Sequence, residues 1–178
     1  MNFALFEESQ SQEIIDLFEC VFSDSEGKDE GLVIRGLVSD LISTTPSLDL
    51  FGYIASDREK IIGGIFFSRL TFENGSTSFI LSPVAIDTNF QGKGIGQELI
   101  KFGIEKLRSR DVDLVFTYGD PKFYSKVGFQ QINETHIRAP LKLSQPEGWL
   151  AQSLKNDSIG SISGASCCVE ALNNQGYW

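Results

Sequence analysis

The 178-residue chain has few of the side chains that hold metals or bridges: one histidine, His136, three cysteines, and no C-x-x-C pair. Cys20 stands alone in an apolar stretch, while Cys167 and Cys168 are neighbours. Adjacent residues on a strand point to opposite faces, which suits neither a mutual disulfide nor a shared metal. The expectation is three free, buried thiols and no zinc site. Long apolar runs are also missing. Uncharged stretches such as residues 61–68 fall far short of the about 20 residues a membrane-crossing helix needs. Residues 1–8 carry no basic region ahead of a long apolar core and do not read as a signal peptide. A cytoplasmic protein without membrane contact is expected. Basic charge is scarce too: 15 Lys and Arg face 24 Asp and Glu, for a net charge of −9. No basic stripe of the kind that binds nucleic acid is visible. Acidic residues cluster at Asp24, Glu26, Asp29 and Glu30 around Gly27 and Lys28. Such a surplus chiefly keeps a protein soluble, and it would also favour a cationic ligand.

What is present is a globular balance, 41% hydrophobic and 22% charged, at a length usual for one domain. Residues 11–22 carry an apolar stripe at Ile14, Ile15, Leu17, Phe18, Val21 and Phe22, predicting an amphipathic helix with Ser11 as N-cap. A second stripe, Leu32 to Ile42, predicts another helix that ends before Pro46. Residues 50–55 and 60–72 read as a hairpin around Ser56-Asp57-Arg58-Glu59. Asn74-Gly75 signals the next turn, leading into a strand over 77–86. Pro83 cannot donate to a ladder and implies an edge or a local break in pairing. Residues 94–108 predict a helix whose charges suit its dipole, with Glu98 early and Lys106 and Arg108 late. A buried strand over 112–118 follows, making 77–118 a strand–helix–strand crossover of the parallel type. A short helix begins at Pro121. Later strands are expected near 129–132, 136–143 and 165–169, with a loose polar stretch at 155–163.

The most informative passage is the junction from Leu81 to Leu99: a strand, then Gln91-Gly92-Lys93-Gly94-Ile95-Gly96, then a helix. Alternating glycines let backbone approach a ligand, and the free N–H groups of a helix's first turn form an anion cradle. The P-loop pattern G-x-x-x-x-G-K-[ST] is absent, and the dinucleotide fingerprint fails because Leu99 stands where its third glycine belongs. The loop does fit Q/R-x-x-G-x-G/A. In this it resembles the pyrophosphate loop of the GNAT (Gcn5-related N-acetyltransferase) superfamily. Pro83-Val84-Ala85-Ile86-Asp87 is similar to the strand before that loop. Gly119-Asp120-Pro121-Lys122-Phe123-Tyr124, continuing through Gly128-Phe129, resembles the family's second signature. The Gly-Asp-Pro is similar to that of uncharacterised bacterial N-acetyltransferases. The resemblance is clearest over residues 61–129.

The resemblance implies an α/β (α+β) fold, a mixed, mostly antiparallel sheet flanked by helices in one domain spanning 1–178. Its core motifs would lie in 81–129, and 130–178 would complete the sheet and a tail. It implies acetyl-CoA as co-substrate and transfer of acetyl to a primary amine of a small molecule or peptide. The backbone amides around Val84, Ala85 and Ile86 would contact the acyl carbonyl. Gln91, Gly92, Lys93, Gly94, Ile95, Gly96 and Gln97 would bind the pyrophosphate region. Phe123 and Tyr124 would complete the cofactor site, with Tyr124 as acid toward the CoA sulfur. Blander readings stand beside these. The glycines could serve only a tight turn, Tyr124 could only pack, and Lys93, Lys122 and Lys126 could be merely solvated. Asp120 before Pro121 reads as a helix N-cap, and His136 reads as structural. Glu30, Asp24, Glu73 and Asp120 are candidate general bases by residue type alone. A non-catalytic acyl-CoA-binding module and a transferase of longer acyl groups remain alternatives. Tyr177-Trp178 reads as a pair of exposed aromatics that closes the site or forms a homodimer interface.

Overall fold

The N-terminal apolar stripes fold as two helices, α1 (Ser11–Glu26) and α2 (Lys28–Thr44), in a computed structural model that describes residues 1–155 and 158–178. Residues 156 and 157 of the expected polar stretch lie outside the described residues. Helix α1 begins at its expected cap, one residue earlier than expected. Gln10 is the N-cap, and Ser11 is the first helical residue, its hydroxyl donating to the Glu8 carbonyl (2.6 Å). Strands β1 (Asn2–Leu5), β2 (Leu50–Asp57), β3 (Lys60–Phe72) and β4 (Ser78–Ile86) come next. Helix α3 (Ile95–Arg108) and strand β5 (Leu114–Tyr118) follow, then helix α4 (Pro121–Tyr124). Strands β6 (Gln130–Gln131), β7 (Trp149–Ser153) and β8 (Ser166–Cys168) complete the chain. The strand order is β1-β2-β3-β4-β5-β7-β6, with β8 on β3. Only β4 and β5 run parallel among the registers described, joined by α3 as the crossover requires.

By packing, the described residues fall into two compact units, 1–67 with 83–103 and 68–82 with 104–178. In the first, α1 lies on β3 at Gly64, where an added Cβ would stand 2.4 Å from Ile14 and 3.0 Å from Phe18. Glu13 accepts a hydrogen bond from the Ile61 N–H (2.8 Å), fixing α1 to the start of the strand. Phe66 takes Phe6 and Phe18 against its ring, and Phe102 of α3 packs on Phe3 and Tyr53. In the second, aromatic contacts run from Phe72 through Phe116 and Trp149 to Trp178.

Several expectations are corrected. The three cysteines are free, but Cys20 and Cys167 are exposed, lying off the face their elements bury, and Cys168, on the same side of β8 as the buried Ser166, is half-buried. Residues 136–143 form no strand: Ile137, Ala139 and Leu143 are buried, yet Pro140 lacks an N–H and pairing is limited to one bridge, Ile137 to Ile162. Trp178 is buried at 5% exposure, its indole N–H donating to the Leu172 carbonyl (2.9 Å). Strands β1 and β7 were not expected.

Candidate functional site

The glycine loop lies wholly in the first unit. Asp87, at the end of β4, anchors it. Its Oδ1 accepts from the Asn89 backbone and side-chain N–H groups (3.0 Å each), and its Oδ2 accepts from Lys60 Nζ (2.8 Å). Lys60, together with the Asn89 N–H, holds this nearly buried carboxyl below the usual carboxylate range, and Asp87 raises the Lys60 amine in turn. The Gln91 side chain folds back to donate to the Ile86 carbonyl (2.9 Å). Lys93 lies over the Phe90 ring and donates to the Asn89 carbonyl (3.1 Å). Both side chains thus stiffen the loop.

Gly92 and Gly94 adopt φ of 73° and 82°, and nothing lies within 4 Å of a Cβ placed on either. Backbone conformation, not crowding, demands glycine here, because a side chain is strained in the left-handed region. The Gly94 carbonyl accepts the first α3 hydrogen bond, from Glu98 N (3.1 Å). The N–H groups of Ile95, Gly96 and Gln97 precede that bond and have no partner within the helix. With residues 91–94 exposed and Ile95 buried as an anchor, the loop presents backbone donors and the positive end of a 14-residue helix to solvent. Gly96 sits inside the helix with no positive φ, so its part is narrower than that of Gly92 and Gly94.

Before this loop, the β4–β5 ladder runs from Ser78↔Leu114 to Leu81↔Thr117 and stops. Since β4 is an interior strand, Pro83 marks a local break and not an edge. Val84, Ala85 and Ile86 lie beyond the last paired residue, with Ala85 buried and its two neighbours half-buried.

The second signature lies in the other unit. Asp120 caps α4, its Oδ1 accepting from Lys122 N (2.9 Å), with Pro121 in the first turn as expected. Tyr124 meets Phe123 and Phe129 edge-on, at 5.0 and 5.7 Å. Its ring covers Gly119, where an added Cβ would stand 2.7 Å away. Burial raises the phenol above its ordinary pKa, and a hydrogen bond with Thr117 opposes this without overcoming it. Thr117 in turn donates to the Leu81 carbonyl (3.0 Å), at the last rung of the β4–β5 ladder. Lys122, Lys126 and His136 are exposed. Of the candidate bases, Asp24 accepts from Thr88 Oγ1 (2.8 Å) and Asp120 is the cap just described.

A GNAT acetyltransferase domain model matches residues 49–131, which include both signatures. The uncharacterized N-acetyltransferase YjhQ of Escherichia coli K12 is 30% identical over 175 residues, 95% of this chain and 92% of that protein. The chain belongs to the GNAT N-acetyltransferase superfamily. Another E. coli K12 relative, the uncharacterized N-acetyltransferase YhbS, is 25% identical over 115 residues, 64% of this chain and 68% of its own length. A crystal structure of E. coli YhbS in complex with CoA aligns at a TM-score of 0.79 and 22% identity, covering 97% of this chain and 92% of that one. A GNAT acetyltransferase from Brucella melitensis in complex with acetyl-CoA aligns at 0.71 and 18%, covering 97% of both chains. These likenesses bear out the expected GNAT fold. The family-wide signatures stand on the glycine loop and α4, whereas α1, α2 and the C-terminal segment of this GNAT protein lie outside the matched range. Sequence reasoning missed a cavity in the second unit that takes in Tyr118 and Glu147, which no local motif marks.

Proposed function

We propose that this GNAT acetyltransferase moves the acetyl group of acetyl-CoA to a primary amine of a small molecule. The observation that carries the donor assignment is the exposed Gly92–Gly94 backbone opening onto the N-terminus of α3, a cradle suited to a pyrophosphate. Residues Gln91, Gly92, Lys93, Gly94, Ile95, Gly96 and Gln97 bind that part of the cofactor, and Phe123 and Tyr124 complete the cofactor site. The neutral amine attacks the thioester carbonyl, forming a C–N bond while the backbone amides around Val84, Ala85 and Ile86 stabilise charge on oxygen. Collapse of the intermediate breaks the C–S bond. The thiolate takes the Tyr124 proton, and the nitrogen's surplus proton passes to a carboxylate or to water. Support for Tyr124 as the acid is its raised pKa, which keeps the phenol protonated.

The test is calorimetry with acetyl-CoA, followed by detection of free thiol across a panel of amines. Saturable binding and amine-dependent thiol release are expected. Absence of acetyl-CoA binding at millimolar ligand would end this reading.

A further inference from the structure

Within the second unit, a cavity of about 600 Å³ is not accounted for by donor binding or by Tyr124. Its walls come from the end of β5 (Tyr118), the turn into α4 (Gly119, Asp120), the loop before β7 (Glu147) and the C-terminal Tyr177 and Trp178. The size suits a small organic molecule. The aromatic side is fixed in place. Trp178 stacks on Tyr118 at 6.2 Å and 18°, meets Trp149 edge-on, and spends its indole N–H on the Leu172 carbonyl. The Tyr118 hydroxyl is engaged with Ser144 Oγ (3.0 Å) and accepts the Gln145 N–H (2.7 Å), so what Tyr118 offers a ligand is its ring.

The charge of the lining is one-sided. It includes Asp120 and Glu147 and no Lys, Arg or His. Asp120 Oδ1 is committed to the α4 cap, and the Glu147 carboxylate forms no hydrogen bond or ion pair among the described residues. Carboxylates beside aromatic faces favour an ammonium group and disfavour the phosphates of a CoA. An ammonium held this way stays charged and cannot be the nitrogen that attacks a thioester, so the ligand needs a second amine. The cavity also borders the Tyr124 turn directly, because the Gly119 backbone that lines it lies under the Tyr124 ring.

We propose that this cavity binds the non-reacting ammonium end of a small di- or polyamine acceptor, with Glu147 as charge partner and Tyr118 and Trp178 as aromatic wall. The proposal rests on the acetyl-transfer reading and makes Glu147 a specificity-determining residue. The test is calorimetry on the full chain without acetyl-CoA, comparing octane-1,8-diamine with the uncharged octane-1,8-diol. The diamine should bind about tenfold more tightly, the combined worth of a partly screened ion pair and a cation–π contact. Glu147→Gln should remove most of that preference at unchanged Tm, since Glu147 is exposed. Asp120→Asn, which keeps a capping oxygen, should reduce it further. In turnover, Glu147→Gln should raise KM for the diamine about tenfold with little change in its kcat. Equal binding of the diamine and the diol, or a preference untouched by both variants, would overturn the proposal. Failure of acetyl-CoA to bind would instead remove the transfer reading and leave the diamine comparison to judge the cavity.

Discussion

Burial and a neighbouring hydroxyl act on the Tyr124 phenol in opposite directions, and burial wins. An ordinary phenol titrates near pH 10, so this one stays protonated through neutral and mildly alkaline pH. It can supply a proton and cannot serve as the base. Its ring has a separate duty, packing on Phe123 and Phe129 over Gly119. Tyr124→Phe separates the two, because phenylalanine keeps the ring and loses only the hydroxyl. The expected outcome is a kcat lowered about 10²-fold, in the range usual for a positioned acid. Acetyl-CoA affinity should hold within about twofold, with a stability loss of about 1 kcal/mol from the Thr117 hydrogen bond. Steady-state kinetics with a thermal melt checks this; a lower Tm at unchanged kcat would make Tyr124 a packing residue only.

Helices α1 and α2 meet at Gly31, where an added Cβ would fall 1.9 Å from Ser23 Oγ and 2.7 Å from the Glu19 carbonyl. Gly36, one face away on the same helix, is exposed with nothing within 4 Å. Gly31→Ala should therefore lower stability by about 1–3 kcal/mol through overpacking. Gly36→Ala should raise it by about 0.5–1 kcal/mol, because it restricts the unfolded chain and fits the helix. Chemical denaturation of both variants reads the contrast directly. These helices were legible from their stripes, as was the β2–β3 hairpin from its spacing, since in each case the burial pattern repeats within a short window. Strand β7 was not. Its first three residues, Trp149, Leu150 and Ala151, are all buried between β5 and β6, and so short an apolar run shows no alternation. Strand β1 is four residues long and half-exposed at the edge of the sheet, with little pattern to display. Residues 136–143 erred the other way: alternate burial is present, but Pro140 and the lack of a partner strand deny it a ladder. The same logic divides the site. The glycine loop and the Asp120–Tyr124 turn are contiguous and readable, whereas the anionic cavity draws on residues near 118, 147 and 178 that only folding unites.

Across the whole molecule, a net charge of −9 and two depressed carboxyls pull stability in opposite directions as pH falls. Protonating exposed carboxylates first relieves self-repulsion. The opposing effect comes from one clamp in each compact unit. Asp87 is held by Lys60 and Asn89. Asp113 is held by Lys155 Nζ (2.8 Å) and accepts the Thr77 N–H (2.8 Å), with Lys155 the larger cause of its lowered pKa. Because each folded pKa lies below its unfolded value, both clamps contribute in full above the ordinary carboxylate range near pH 4. That contribution is lost as pH falls through the depressed folded values. Tm should thus change little, or rise slightly, from pH 7 to about 5, then drop steeply below about 4. Asp87→Asn and Asp113→Asn should each lower Tm at neutral pH and flatten the acid drop, since an amide has no proton to gain. Melts from pH 3 to 7 decide the matter. An acid drop as steep in both variants as in the parent would assign acid sensitivity to other carboxylates.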